Sequence, residues 1–228
     1  MMRAIILAAG YGSRLLPITL HTPKPLLQVR GKALIEHHII NLVNIGVTEI
    51  VINLGYLGYK IRHFLGSGRR YGARLLYSEE GTPPLETAGG ICQAIALLCD
   101  QPTFLVINAD IDTDYPLAVL VKHAERHQTY GHIVLAQTGD QHIKSKGDFN
   151  LDVSGRVTTK LPCPYTFTGV SYLSTRLFTN MACGSRKLKD VLMQLIQEKQ
   201  LSGEVYSGMW HDLGTIAKLK ALSVSGVG

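Results

Sequence analysis

Leu7-Ala8-Ala9-Gly10-Tyr11-Gly12-Ser13-Arg14-Leu15-Leu16-Pro17 grows out of the short apolar run Ala4–Ala8, and its reading governs the rest of the chain. A buried strand that ends in a glycine turn offers backbone N–H groups to an anion, because glycine lets the main chain approach closely and turn sharply. Two common phosphate loops are excluded by the residues themselves. A dinucleotide loop needs G-x-G-x-x-G, but Leu15 occupies the third glycine position and the next strand ends in Asn53-Leu54 instead of an acid. A Walker loop needs G-K-[ST], and none follows. What remains is a glycine turn with Arg14 beside it and Lys24 set between Pro23 and Pro25. Arginine grips phosphate oxygens bidentately, lysine supplies a compact charge, and flanking prolines restrict the backbone that carries it. Two cations at such a loop suit a triphosphate better than a dinucleotide.

Outward from the loop, strand-like runs alternate with helical spacing. Glu49–Leu54, Ala73–Tyr77 and Thr103–Asn108 read as strands, the last apolar on both faces. Ala33–Gly46, Leu57–Leu65, Ala88–Leu98 and Pro116–His127 read as helices between and after them. His132–Gln137 and Gly169–Leu173 read as further strands and Ser185–Lys199 as a helix; the Gly- and Pro-rich stretch Gly139–Pro164 reads as a hairpin with loops. The alternation predicts an α/β fold, Rossmann-like, with a mainly parallel mixed sheet and helices on both faces. Ligands of such sheets bind beyond the carboxyl ends of the strands. Chemistry is therefore expected after Ala8, Tyr77 and Asn108.

Asn108-Ala109-Asp110 leaves the most apolar strand at that end, where a carboxylate can hold a hard cation against phosphates; Asp112 and Asp114 compete for the role. A second carboxylate, Asp212, stands in Trp210-His211-Asp212-Leu213-Gly214-Thr215. His123 and His127 are spaced like a zinc pair, but Ala124 replaces the expected Glu, and solvated histidines are the expectation. Cys92, Cys99, Cys163 and Cys183 lack C-x-x-C spacing and read as thiols of a reducing compartment. The excess of 23 basic over 17 acidic residues, net +6, is scattered rather than interleaved with aromatics, which favours a small polyanion over nucleic acid. Met1 leads straight into strand-like sequence and no apolar run reaches the roughly 18 residues of a membrane span, so a cytoplasmic location is expected, with no membrane partner.

L-A-A-G-Y-G-S-R-L-L-P-I-T, P-K-P, N-A-D and H-D-L-G-T, in that order from Leu7 to Thr215, closely resemble the sugar-1-phosphate nucleotidyltransferase family. The resemblance implies one domain over 1–228, its nucleotide-binding part about 1–115 and its sugar-binding part about 116–228. It implies Mg²⁺ on Asp110 and Asp212, and nucleotide phosphates on Ala9, Gly10, Gly12, Ser13, Arg14 and Lys24. Glu80 and Thr87 fall where the family reads the base, with Glu79 as a competitor, and Asn108, Gly147, Asp148 and Thr168 where it holds the sugar phosphate. Arg14, Lys24 and Asp110 would carry the catalysis. H-T-P-K-P-L, T-E-I-V-I-N, P-L-E-T-A-G-G-I and S-G-E-V-Y-S-G-M-W are most similar to members that join UTP to N-acetylmuramic acid 1-phosphate in cell-wall recycling, and the chain itself is expected as a monomer or small homo-oligomer. Departures are Leu16, where many members carry a second Arg, and Thr159-Lys160-Leu161-Pro162, where many carry Glu-Lys-Pro. Rival readings are the same chemistry on glucose 1-phosphate with UTP or dTTP or on mannose 1-phosphate with GTP, a non-catalytic nucleotide-sensing subunit, and an oxidoreductase disfavoured by Leu15.

Overall fold

Ile5 and Ile6, Val51 and Ile52, and Val106 and Ile107 are apolar at successive positions, so the strands carrying them bury both faces and take the middle of a sheet. The computed structural model describes residues 2–81, 83–126, 129–138, 147–182, 184–215 and 218–219. In chain order its elements are β1 (Arg3–Leu7), β2 (Gln28–Val29), β3 (Lys32–Ala33), α1 (Leu34–Asn44), β4 (Glu49–Leu54), α2 (Gly58–Leu65), β5 (Arg74–Glu79) and α3 (Glu86–Ala94). Then come β6 (Thr103–Asn108), β7 (Ile111–Thr113), α4 (Leu117–Arg126), β8 (Gly131–Gln137), β9 (Asn150–Leu151) and β10 (Val157–Thr158). β11 (Tyr165–Ser174), α5 (Arg176–Thr179), α6 (Leu188–Gln197), β12 (Leu201–Tyr206) and β13 (Trp210–Asp212) follow among the described residues.

Seven strands form the main sheet in the order β12-β8-β11-β6-β1-β4-β5. β6, β1, β4 and β5 are parallel neighbours, β11 runs antiparallel to β6 and β8, and β12 lies parallel to β8. The mainly parallel mixed sheet read from the sequence is the one that forms. Alternation within β1 assigns its faces: Ala4 and Ile6 share a core with α1, α2 and α4, whereas Ile5 shares one with α3, α5 and α6. Helices thus cover both faces. No helix among the described residues is long and apolar enough to cross a membrane.

Two strands run further than their apolar runs suggest. β5 extends past Tyr77 to Glu79, and β11 starts at Tyr165 rather than Gly169. Pairing with β4 and β8 supplies backbone partners for residues whose side chains gave little signal. β12 and the β7–β13 pair were not expected, since Leu201–Tyr206 alternates with polar residues at the sheet's edge. The hairpin expected within Gly139–Pro164 is present as β9 and β10; residues 139–146 lie outside the described residues.

Chain order places the site. From β1 the chain moves outward through β4 and β5, then returns to the other side of β1 as β6. That reversal opens a crevice between the carboxyl ends of β1 and β6.

Candidate active site

Leu7 pairs with Asn108 across β1 and β6, and the Ala109 N–H donates to the Leu7 carbonyl at 3.1 Å. Ala8 and Asp110 therefore leave the sheet side by side. A cleft of about 450 Å³ opens there, lined by the predicted Ala9, Gly10, Gly12, Ser13, Arg14 and Lys24 from the loop. Asn108 and Asp110 line it from β6, and Glu80 and Thr87 from the β5–α3 connection.

The loop is braced from beneath. Leu15, in the position a dinucleotide loop gives to glycine, is fully buried in a small core with Leu27, Val29, Leu34 and Leu213. Buried Thr19 donates its hydroxyl to the Gly12 carbonyl at 3.0 Å. Gly12 has φ of +64°, and an added Cβ would stand 2.9 Å from the Thr19 methyl. Gly10 differs: nothing lies within 4 Å of its would-be Cβ, so what its bareness leaves open is cleft. Gly12→Ala is expected to cost about 1–2 kcal/mol from the left-handed backbone alone, read by urea denaturation. Gly10→Ala should stay within about 0.5 kcal/mol of the parent yet weaken nucleotide binding in a titration. Equal loss of stability in both would remove the phosphate-loop reading of Gly10.

Leu213 in that small core carries the distant H-D-L-G-T segment to the loop. The Arg14 guanidinium lies against Gly214, whose would-be Cβ falls 2.8 Å from Arg14 Nη1. Arg14 is exposed and faces the cleft, as a residue awaiting an anion would.

Lys24 is buried, with 8% of its side chain exposed, and its Nζ lies 2.6 Å from Asp110 Oδ2. The structure separates Asp110 from its competitors. Asp112 is buried and bound to Arg30, and Asp114 accepts from the Tyr206 hydroxyl at 2.5 Å. Asp212 arrives through β13, opposite Ile111 of β7, and the Leu213 N–H donates to the Asp110 carbonyl at 3.0 Å. Its own carboxylate, 3.4 Å from Lys218 Nζ, is not among the residues lining the cleft. Two hard carboxylates on adjoining segments, each faced by an ammonium, have the donor chemistry of a small hard cation's site. Asp110 and Asp212 could hold one.

Glu80 is bracketed. Asn53 is buried at the end of β4; its Oδ1 accepts from the Ala8 N–H at 2.6 Å, which turns its Nδ2 to donate to Glu80 Oε1 at 2.6 Å. Glu80 Oε2 accepts from the Leu85 N–H at 2.9 Å. A carboxylate has about four acceptor positions, so Glu80 keeps capacity for a ligand N–H. Glu79 points elsewhere, 63% exposed and paired with Arg62 at 3.0 Å. The T-A-G-G motif is explained by this bracket: a Cβ on Gly90 would meet Glu80 Oε1 at 2.2 Å and Asn53 Nδ2 at 2.7 Å.

Three residues assigned by resemblance to the sugar phosphate do not line this cleft. Thr168 is buried and donates its hydroxyl to the Val134 carbonyl at 2.8 Å. Asp148 pairs with Lys189 at 2.8 Å, and Gly147 packs against the backbone of Cys163 and Tyr165. Sequence reading missed Asn53, Pro84, Glu86 and Gly214, which do line it. Asn53 had a signal, being the polar residue near the end of an otherwise apolar strand; Pro84, Glu86 and Gly214 stand inside the P-L-E-T-A-G-G-I and H-D-L-G-T motifs, which gave them no role of their own.

Known proteins show the same arrangement of chain. The family model described as nucleotidyl transferase matches residues 3–225. A protein named N-acetylmuramate alpha-1-phosphate uridylyltransferase, from Neisseria meningitidis serogroup B, is 41% identical over 224 residues, 96% of each chain. The mannose-1-phosphate guanylyltransferase catalytic subunit beta of Danio rerio is 29% identical over 93% of this chain, which spans 61% of that longer protein. In structure, HddC from Yersinia pseudotuberculosis, solved with GMP-PN, superposes with a TM-score of 0.79 at 19% identity over 99% of both chains. A Bacillus anthracis protein solved with sucrose gives a TM-score of 0.86 at 23% identity, covering 99% of this chain and 95% of that one. With its glycine loop, Arg14, Lys24 and Asp110 gathered at one crevice, the chain belongs to the nucleotidyl transferase family, among the sugar-1-phosphate nucleotidyltransferases that its motifs resemble.

Proposed function

We propose that the protein transfers a uridylyl group from UTP to N-acetylmuramic acid 1-phosphate, releasing pyrophosphate and yielding a UDP-sugar for cell-wall recycling in the cytoplasm. One observation carries the chemistry: a glycine loop, two cations and a carboxylate from separate segments converge on the crevice between β1 and β6. The choice of substrates follows the name of the Neisseria relative, matched over 96% of both chains.

In this reading an oxygen of the sugar phosphate attacks the α-phosphorus of UTP in line, and the bond to pyrophosphate breaks. The attacking oxygen is already anionic, so the protein supplies position and charge instead of a general base. Gly10 leaves room for the phosphates against the loop. Arg14 binds the departing pyrophosphate with its planar fork. Lys24 turns from Asp110 toward the charge that builds between the reacting phosphates. Glu80, held by Asn53 and Leu85, accepts the N3–H of uracil. Mg²⁺, held by Asp110 and Asp212 when bound, supplies Lewis-acid neutralisation of phosphate charge.

Pyrophosphate release with each of UTP, dTTP, GTP and CTP against several sugar 1-phosphates, with and without Mg²⁺, tests this. UTP with N-acetylmuramic acid 1-phosphate is expected to exceed every other pair in kcat/KM by at least about tenfold, the scale of one well-placed discriminating contact. A faster reaction of glucose 1-phosphate with dTTP, or mannose 1-phosphate with GTP, would replace the substrates and keep the chemistry. No release with any pair would leave a nucleotide-sensing role.

A further inference from the structure

A second cluster of reactive side chains lies outside the cleft, where α4 packs over β8 and β12. His123 Nε2 is 3.8 Å from Glu204 Oε2, and His132 Nε2 is 3.6 Å from Glu204 Oε1. One ligand atom from each residue falls within 4.8 Å of the other two. Zinc takes imidazole nitrogen and carboxylate oxygen at about 2.0–2.2 Å, which sets tetrahedral ligand atoms roughly 3.3–3.5 Å apart. The cluster is one small closure from that geometry. We infer that His123, His132 and Glu204 form a site for a borderline divalent metal, Zn²⁺ foremost, that ties α4 to the β8–β12 edge of the sheet.

The surroundings orient the donors. His132 is buried, and its Nδ1 lies 2.9 Å from Ser202 Oγ. Ser202 Oγ is itself held 3.2 Å from Thr129 Oγ1 and 3.4 Å from the Gly131 carbonyl, so the contact anchors the His132 ring. The Nε2 side of the ring is thereby turned to Glu204. A ligating histidine characteristically has its other nitrogen fixed by such a bond. The Tyr115 hydroxyl donates to Glu204 Oε1 and orients the carboxylate.

His123 supplies the moving part. Its ring stacks on His132 at 4.6 Å and 14°, and the two must tilt apart for both lone pairs to meet one ion. With 36% of its side chain exposed, His123 has room to turn and marks the path of entry. Burial, and then the neighbouring His132, push the His123 imidazolium below its ordinary range, so near pH 7 little proton competes with a metal. Imidazole donors favour Zn²⁺ over Mg²⁺, which separates this site chemically from Asp110 and Asp212. His123, read from the sequence as a solvated histidine, is open to solvent on one side and reaches Glu204 on the other; His127 lies outside the described residues.

The test uses the full chain, stripped of metal by a chelator and returned to excess Mg²⁺ so that the carboxylate pair is occupied. Titrated with Co²⁺, it should bind one ion per chain with the visible absorption of a tetrahedral site, and Zn²⁺ should displace the ion and raise Tm. His123→Ala should weaken binding by about 100-fold or more and remove the Tm rise, since even an outer-shell partner is worth 10–100-fold. Glu204→Gln should do the same, while Asp212→Asn should keep the Co²⁺ spectrum. Pyrophosphate release by His123→Ala should match the parent. Absence of stoichiometric binding by the parent, or a Zn²⁺ effect that survives His123→Ala, would overturn the assignment.

Discussion

Asp110→Asn is expected to lower kcat by about 10²–10³-fold or more, the scale seen when a group that stabilises transition-state charge is removed, while Tm stays near that of the parent. The substitution keeps size and shape and removes one negative charge. In the free protein that charge faces Lys24 at 2.6 Å, and 36% of the Asp110 side chain is open to solvent. Water therefore softens the structural consequence. The consequence for turnover is not softened if the proposed reaction holds, because an amide would be a poor replacement for a carboxylate that holds a divalent cation. Pyrophosphate release together with a thermal melt reads both quantities. Near-parental activity would sink the assignment of Asp110, and lost activity with a collapsed melt would make it structural.

Lys24→Met should cost about 10²-fold in kcat, for the same electrostatic reason, with KM for the nucleotide rising as well. The side chain is buried between two prolines, and Met fills most of its volume. Breaking a fully buried ion pair costs about 3–5 kcal/mol, but Asp110 is partly solvated and the expected loss of stability is nearer 1 kcal/mol. Combined with Asp110→Asn, the two losses should fall well short of additive, since the two side chains touch at 2.6 Å and the proposed reaction has both act on the same phosphates. Full additivity in a double-mutant cycle would separate the two residues into independent roles.

Much of this was legible before any fold was known. Glu49–Leu54 and Thr103–Asn108 appear with the boundaries read from the sequence, because runs of Ile, Val and Leu between turn residues leave a buried strand as the economical solution. Arg14 and Lys24 stood out for a related reason, one following a glycine turn and the other lying between two prolines, and the structure places both at the cleft. β12 was not legible, since Glu204 and Ser202 interrupt its pattern and its pairing with β8 crosses some seventy residues of chain.

The sequence by itself determined the α/β class, the central strands, the loop and the cationic residues beside it, all set by contacts between near neighbours in the chain. Only the tertiary structure decided which of Asp110, Asp112 and Asp114 faces the cleft, and which of Glu79 and Glu80 does. Glu79 and Glu80 are successive residues of an extended segment and point to opposite sides, whereas Asp110 stands in the turn between β6 and β7 and Asp112 lies within β7 against β13. It alone joined Arg14 to Gly214, Asn53 to Glu80 and His123 to Glu204. Those meetings depend on the order of strands in the sheet, which no local pattern encodes.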